Sequence, residues 1–469
     1  RASRRPAASR VPWQCCLGLH GAGKPAPGAV AAARASLSCC YHSQLEAMRR
    51  WTGLDVFRRT FSVVLLSLAW VHLGHGVALR RARKGTTRSV STELALQNFH
   101  NVQYVANITI GGQPISTLFD TGSAKLVVQS TRCDTCSRPV PPYDRLKSST
   151  YQLSGLLYDI TYGAGHCEVL RGFETIAVGG QNIEKQVFWE VRHHSIDLWT
   201  NAAYAAVAGM APSLGEEESL LYRLGAEEFT MCLGRGSDAA ARLTIGPLPS
   251  TSAGEVVTAE LVGDDKRWVT SLGRITVVGS DGVASDDTEL CPNSDCVALL
   301  DTGHSLIQGP MDQIMKLSNL IHIKPDCSNV QDLPNLRFEL AGTVFELPPH
   351  AYVIRVTGAD GEKERLWPIL PTGGPNRPFK ENTCHPAFML GHGHWVFGMP
   401  FFRYYQTTFS RTEKSMKFVR VAPDCTPQTF AQNGSSVSLA SSRPLRDPID
   451  VEPLNINLSM LVQPAEDDD

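Results

Sequence analysis

Phe119-Asp120-Thr121-Gly122-Ser123 and Leu299-Leu300-Asp301-Thr302-Gly303-His304-Ser305 are the two stretches that decide how this chain is read. In each, an apolar run carries an aspartate to the end of a core strand, where an ionised carboxylate is costly unless something compensates it. The aspartates stand 181 positions apart, which suggests two similar halves, each bringing one carboxylate to a shared place. Carboxylates held close cannot both ionise, so they share a proton and divide acid and base roles. Such a pair can take a proton from water and polarise a carbonyl oxygen without a metal or a nucleophilic side chain. The hydroxyls of Thr121 and Thr302 can bond the opposite turn's backbone. Gly122 and Gly303 let the turns approach without a Cβ between them.

A second echo supports the duplication. Val207-Ala208-Gly209 ends 89 positions after the first aspartate, and Val396-Phe397-Gly398 ends 97 after the second. A length of 469 residues favours two domains, and a net charge of −2 argues against a nucleic-acid-binding surface. Short runs of Val, Ile, Leu and Phe between turn residues read as mainly β. Strands are expected from Tyr104–Ile110 to Arg242–Gly246 in the first half and from Glu255–Leu261 to Tyr405–Phe409 in the second. Gly111-Gly112 marks a hairpin turn. The best helical patches are Glu217–Leu224 and Pro310–Leu320.

The flanks read differently. Residues 1–47 are taken as an unstructured upstream segment. Residues 48–78, with basic residues, the apolar run Phe61–Leu73 and small residues at the end, read as a signal peptide; a retained signal anchor is the rival. Residues 79–98 are basic and read equally as a short pro-segment or a linker. An N-terminal β lobe is expected over 99–250, a C-terminal β lobe over 251–425 and a disordered tail over 426–469. Nine of the thirteen cysteines follow residue 78, and a secretory route makes them readable as disulfides, with at least one thiol left over. The C-x-x-C at Cys133–Cys136 also has the spacing of half a zinc site, but no second C-x-x-C accompanies it. Asn107, Asn433 and Asn457 fit the glycosylation acceptor pattern.

From Val102 to Ala422 the chain resembles the pepsin-like (cathepsin D/pepsin type) aspartic proteases. The resemblance rests on both Asp-Thr-Gly triplets, Ile160-Thr-Tyr162-Gly163-Ala-Gly165, Val178-Gly-Gly, Leu333-Pro334-Asn-Leu-Arg-Phe338 and Val396-Phe397-Gly398, in the family's order and close to its spacing. It implies an all-β, bilobal fold with a central cleft and few short helices. It also implies a secreted or acidic-compartment endopeptidase, made as a zymogen, with no cofactor or metal. Polypeptides would be its substrates, with no nucleic-acid partner, no membrane span in the mature chain and a monomeric state. Asp120 and Asp301 would be the catalytic dyad, supported by Thr121, Gly122, Ser123, Thr302, Gly303 and His304. Tyr162 and Gly163 would belong to a flap closing over substrate. Cys133–Cys136, Cys291–Cys296 and Cys327–Cys384 would pair, while Cys167, Cys232 and Cys425 have no family partner.

Three departures stand out. His304 replaces the family's Thr or Ser beside the second aspartate, and either donates a hydrogen bond to it or points away. Val127 replaces the Trp that commonly bonds the flap tyrosine, which implies a looser or differently anchored flap. Met399 replaces an Asp after Gly398. The His385, His392 and His394 cluster has no carboxylate or cysteine at ligand spacing and is read as loop rather than metal site. The main rival is a non-catalytic peptide-binding protein of the same fold, which would typically lack one aspartate or the flap tyrosine. A small dimeric retroviral-type protease would carry one triplet per chain. A structural β-sandwich leaves both aspartates unexplained.

Overall fold

The computed structural model describes residues 91–428 and 453–457, except 137–138, 163–164, 197–198, 200, 213–214, 216–217, 237–238, 249–255, 280–289, 292–295, 358–381 and 392. The upstream segment, the signal-like stretch, Gly163, His392 and Asn433 lie outside the described residues.

Ten strands form the first half: β1 (Thr92–Phe99), β2 (Gln103–Ile110), β3 (Gln113–Asp120), β4 (Leu126–Gln129), β5 (Gln152–Tyr162), β6 (Gly165–Val178), β7 (Gln181–His194), β8 (Ala206–Gly209), β9 (Glu228–Cys232) and β10 (Ala241–Ile245). The second half starts with β11 (Val257–Glu260), β12 (Val269–Val278), β13 (Cys296–Leu300), β14 (Ile307–Pro310), β15 (Asn335–Leu340) and β16 (Thr343–Leu347). It continues with β17 (Val353–Thr357), β18 (Thr383–Pro386), β19 (Phe388–Gly391), β20 (Trp395–Phe397), β21 (Tyr405–Ser410), β22 (Ser415–Arg420) and β23 (Leu454–Asn457). Helices among the described residues are short: α1 (Leu220–Arg223), α2 (Met311–Leu320), α3 (Pro349–Tyr352) and α4 (Met399–Phe402). The expected all-β, pepsin-like bilobal architecture is what forms.

Local chemistry explains the hairpins. Gly111 and Gly112, with φ of 55° and 79°, make a two-residue turn that pairs Ile110 with Gln113. Positive φ at both central residues suits the strand twist and is cheap only without a Cβ. Larger order comes from one 13-stranded sheet, β11-β22-β21-β9-β10-β1-β2-β3-β8-β4-β7-β6-β5. Its first six strands mix both halves, since β9 pairs with β21 of the second half as well as with β10. A seven-stranded sheet, β16-β15-β12-β13-β20-β14-β19, and a three-stranded sheet, β18-β17-β23, carry the rest of the second half.

Each aspartate sits in the same local arrangement. In the first half β3 runs parallel to β8 with Asp120 opposite Gly209, and β4 returns antiparallel to β8. In the second, β13 runs parallel to β20 with Leu300 opposite Phe397, and β14 returns antiparallel to β20. The repeated apolar-Gly motif explains itself here. A Cβ on Gly209 would lie 2.2 Å from the Ala124 carbonyl carbon, and one on Gly398 2.2 Å from the His304 carbonyl oxygen. Beneath the second aspartate, Phe397 stacks on Phe338 at 4.6 Å, within a fully buried group that includes Phe345, Phe401 and Phe418.

Two stretches behave differently from the sequence reading. Thr92–Phe99, which takes up the end of the 79–98 pro-segment or linker and runs into the N-terminal lobe, is strand β1. Its first part pairs with β10 and its last three residues with β2, so it joins the mixed part of the sheet to the first half. In the tail expected to be disordered, Leu454–Asn457 forms β23, parallel to β17. No helix among the described residues is long and apolar enough to cross a membrane.

The cysteines pair as Cys133–Cys136, Cys291–Cys296, Cys327–Cys384 and Cys232–Cys425. The last links β9 to the chain 193 residues on, a separation that gives no local signal. Cys167 is the free cysteine among the described residues; burial first, then the Asp159 charge, pushes its thiol up to about 12.

Candidate active site

The two triplets meet as a reciprocal lattice. Thr121 N donates to Thr302 Oγ1 at 3.1 Å, and Thr302 N donates to Thr121 Oγ1 at 2.9 Å. Each hydroxyl then donates across to the other half, Thr121 Oγ1 to Leu300 O and Thr302 Oγ1 to Phe119 O, both at 2.8 Å. Ser305 Oγ adds a bond to Val102 O at 3.1 Å, and Trp268 Nε1 one to Met210 O at 2.9 Å. All four triplet donors are therefore satisfied in a buried place, where an orphaned one would be costly.

That lattice sets the carboxyls against each other. A Cβ on Gly122 would fall 2.3 Å from Asp301 Oδ2, and one on Gly303 would fall 2.2 Å from Asp120 Oδ1. Each glycine therefore makes room for the opposite aspartate. Asp120 Oδ1 accepts Gly122 N at 2.9 Å, and Asp301 Oδ1 accepts Gly303 N at 2.8 Å. The symmetry stops at the next residue. Ser123 Oγ donates to Asp120 Oδ2 at 2.5 Å, whereas Asp301 Oδ2 accepts no hydrogen bond among the described residues. Of the two readings of His304, donation to that oxygen is not realised. His304 is buried, and its carbonyl accepts Met399 N at 2.8 Å.

The electrostatics follow from this asymmetry. Asp301 is fully buried. Burial, then the Asp120 charge and a hydrogen bond with Asp120, hold its carboxyl well above the usual carboxylate range; the amides of Gly303 and Gly122 oppose them. Asp120 has a side-chain hydroxyl donor, Ser123, for which Asp301 has no counterpart among the described residues. Two adjacent carboxyls in different surroundings are what a shared proton needs.

Tyr162 ends β5, 8 % exposed, with its ring edge-on to Trp199 at 5.5 Å. Trp199 was not singled out by any sequence motif. Next to it is Tyr204, also missed, whose phenol burial and the Asp120 charge push far upward, with the Trp199 indole acting against them. Val127, a hydrocarbon side chain, has no polar atom to offer Tyr162. It sits on β4 opposite Trp189 and Val207. His385 bonds Thr383 at 2.9 Å and burial lowers it to about 4, while His394 is lowered by burial and then by Arg267. The described group with three metal-type ligand atoms close together is Cys133, Cys136 and His194, and its two sulfurs are bonded to each other.

A pair of apposed carboxyls on two duplicated, interlocked Asp-Thr-Gly turns is the arrangement of the aspartic protease class. Residues 103–421, more than half of the chain, match the family model described as eukaryotic aspartyl protease, and the chain belongs to that family. It is similar to pepsin A of Bos taurus, 25 % identical over 356 residues covering 71 % of this chain and 87 % of the relative. Cathepsin D of Rattus norvegicus is 27 % identical over 371 residues, 72 % of this chain and 84 % of the relative. Cathepsin D of Homo sapiens is 27 % identical over 367 residues, 70 % and 82 % respectively.

Proposed function

We propose that this chain is an endopeptidase that hydrolyses peptide bonds with Asp120 and Asp301 as its acid and base. The observation that carries the reading is the contact of the two carboxyls across the reciprocal Thr121/Thr302 lattice, with Asp301 biased toward its protonated form. Ionised Asp120 takes a proton from water while the water oxygen bonds to the scissile carbonyl carbon. Asp301 gives its proton to the carbonyl oxygen, leaving a gem-diol. On collapse, a diol hydroxyl proton returns to the Asp301 side and the proton on Asp120 passes to the amide nitrogen, so the C–N bond breaks and the dyad is reset. Activity is lost as pH rises through the raised pKa, because two charged carboxylates have no proton to give. That supports an acidic working range. The signal-like 48–78 stretch and the disulfides support synthesis along the secretory route.

The test is cleavage of a peptide library by processed protein between pH 3 and 7, beside Asp301→Asn. Cleavage that pepstatin blocks and the variant lacks is the expected result. Equal activity in both proteins, or specific peptide binding without cleavage in the wild type, overturns the reading; the second outcome favours a peptide-binding protein.

A further inference from the structure

We propose that Trp199 is the positioning residue of the flap, seating Tyr162 in place of the tryptophan that Val127 replaces. The inference deepens the protease reading and rests on it for the meaning of the flap. Trp199 lies on the segment between β7 and β8, far in sequence from Val127, inside a 3-10 turn. Its amide donates to Ile196 O at 3.1 Å, and its carbonyl accepts Ala202 N at 3.3 Å. The turn is latched to the start of β6. Ser195 N donates to His166 O at 2.9 Å, His166 N donates to Ser195 Oγ at 3.2 Å, and Ser195 Oγ lies 3.0 Å from His166 Nδ1. One side of the indole meets Tyr162 at 5.5 Å and 61°, and another meets the His194 ring at 5.3 Å and 59°. The indole N–H acts on the Tyr204 hydroxyl, and Tyr204 feels the Asp120 charge.

Trp199 is 6 % exposed, so the seat is built rather than incidental. Val127, Tyr162, Trp199 and Tyr204 share one buried apolar cluster. Lower on the same face of β5, Tyr158 makes a second edge-on pair with Trp189 at 4.9 Å and 88°. The hairpin thus has two aromatic braces, and Trp199 supplies the one at its tip. Edge-to-face geometry fixes the orientation of a ring as well as its distance, which a valine cannot do.

The experiment pairs Trp199→Leu, which removes the ring, with Trp199→Phe, which keeps it. Amide exchange at residues 160–168 and separate kcat and KM values are the readouts. In the Leu variant, flap amides are expected to lose about tenfold or more of their protection while β13 and β20 amides do not change. Its kcat/KM falls on the order of 10–100-fold, mainly through KM, because the flap is no longer pre-positioned. The Phe variant stays within about threefold of wild type on both readouts. Should the Leu variant not fold, Ser195→Ala removes the latch hydroxyl instead and is expected to expose amides 165–168. Flap protection equal to wild type in the folded Leu variant, or in Ser195→Ala when Leu does not fold, overturns the proposal. So does lost protection with unchanged kcat/KM. A wild type that cleaves nothing while the Leu variant still loosens the flap sinks the protease reading and leaves the seat standing.

Discussion

Replacing Asp301 by Asn should change how stability depends on pH, and the size of the change follows from the burial of this one group. The folded protein keeps a proton on Asp301 that an unfolded aspartate, with a pKa of about 3.9, gives up. Between that value and the raised folded pKa, the native state binds more protons than the unfolded chain. Stability then falls as pH rises, by up to about 1.4 kcal/mol per pH unit. Below about pH 4 both states are protonated and the cost vanishes; above the folded pKa it is complete and constant. Asp301 is 0 % exposed, so solvent does not dilute the slope. Asn has the same shape and nothing to ionise. Guanidinium unfolding of both proteins from pH 3 to 7.5, with m-values checked for constancy, gives the difference directly, because the other titrating groups are shared. We expect the variant to gain on the wild type steadily above pH 4 and then level off. The upper break reports the apparent pKa of the pair rather than of Asp301 alone. Curves that stay parallel over the whole range would refute the claim that this carboxyl is held protonated.

Three further outcomes follow from neighbouring features. Thr302→Val strands Thr121 N and Phe119 O in a buried place and should cost about 2–6 kcal/mol by denaturant unfolding, at about 1–3 kcal/mol for each orphaned group, while Thr302→Ser costs far less; equal losses would refute the lattice argument. Removing Cys232–Cys425 with a double Ser variant opens a crosslink spanning 193 residues and should cost up to about 5 kcal/mol in the chain-entropy limit, read as a lower unfolding midpoint without reductant. His304→Ser gives Asp301 the hydroxyl neighbour that Asp120 has in Ser123. It should lower the Asp301 pKa and move the alkaline limb of the kcat/KM profile to lower pH, and an unchanged profile would show that the position does not tune the pair.

Much of the site was legible because its chemistry is local. Asp-Thr-Gly puts carboxyl, hydroxyl and bare backbone on three consecutive residues, so one triplet states what its turn will do. Only the partner was missing, and the repeat supplied it. The ten-residue β12 announced itself through length and β-branched content. β8, β14 and β19 have four residues each, too few to show a period, and exist through parallel pairing with distant strands. In β1, Leu94 and Leu96 alternate, but the basic run before them set the reading of the whole segment. In β23, Leu454 and Ile456 alternate inside a Ser/Asn/Pro-rich stretch for the same reason. Trp199 and the Cys232–Cys425 bond carry no motif at all. Their meaning lies in what folding brings to them.

The interlocked triplets also limit how the two copies could drift apart after duplication. A side chain added at Gly122 strikes the carboxyl of the other repeat, and one added at Gly303 does the same in return. A hydroxyl lost from either threonine orphans two backbone groups in the opposite half. Neither copy can explore a new triplet unless its twin changes with it, so the motif is bound to itself across the gene's two halves. The first position free of that mutual constraint is the residue directly after each triplet. That is where the copies differ, Ser123 in one and His304 in the other, and a change there leaves the threonine interlock of the pair in place.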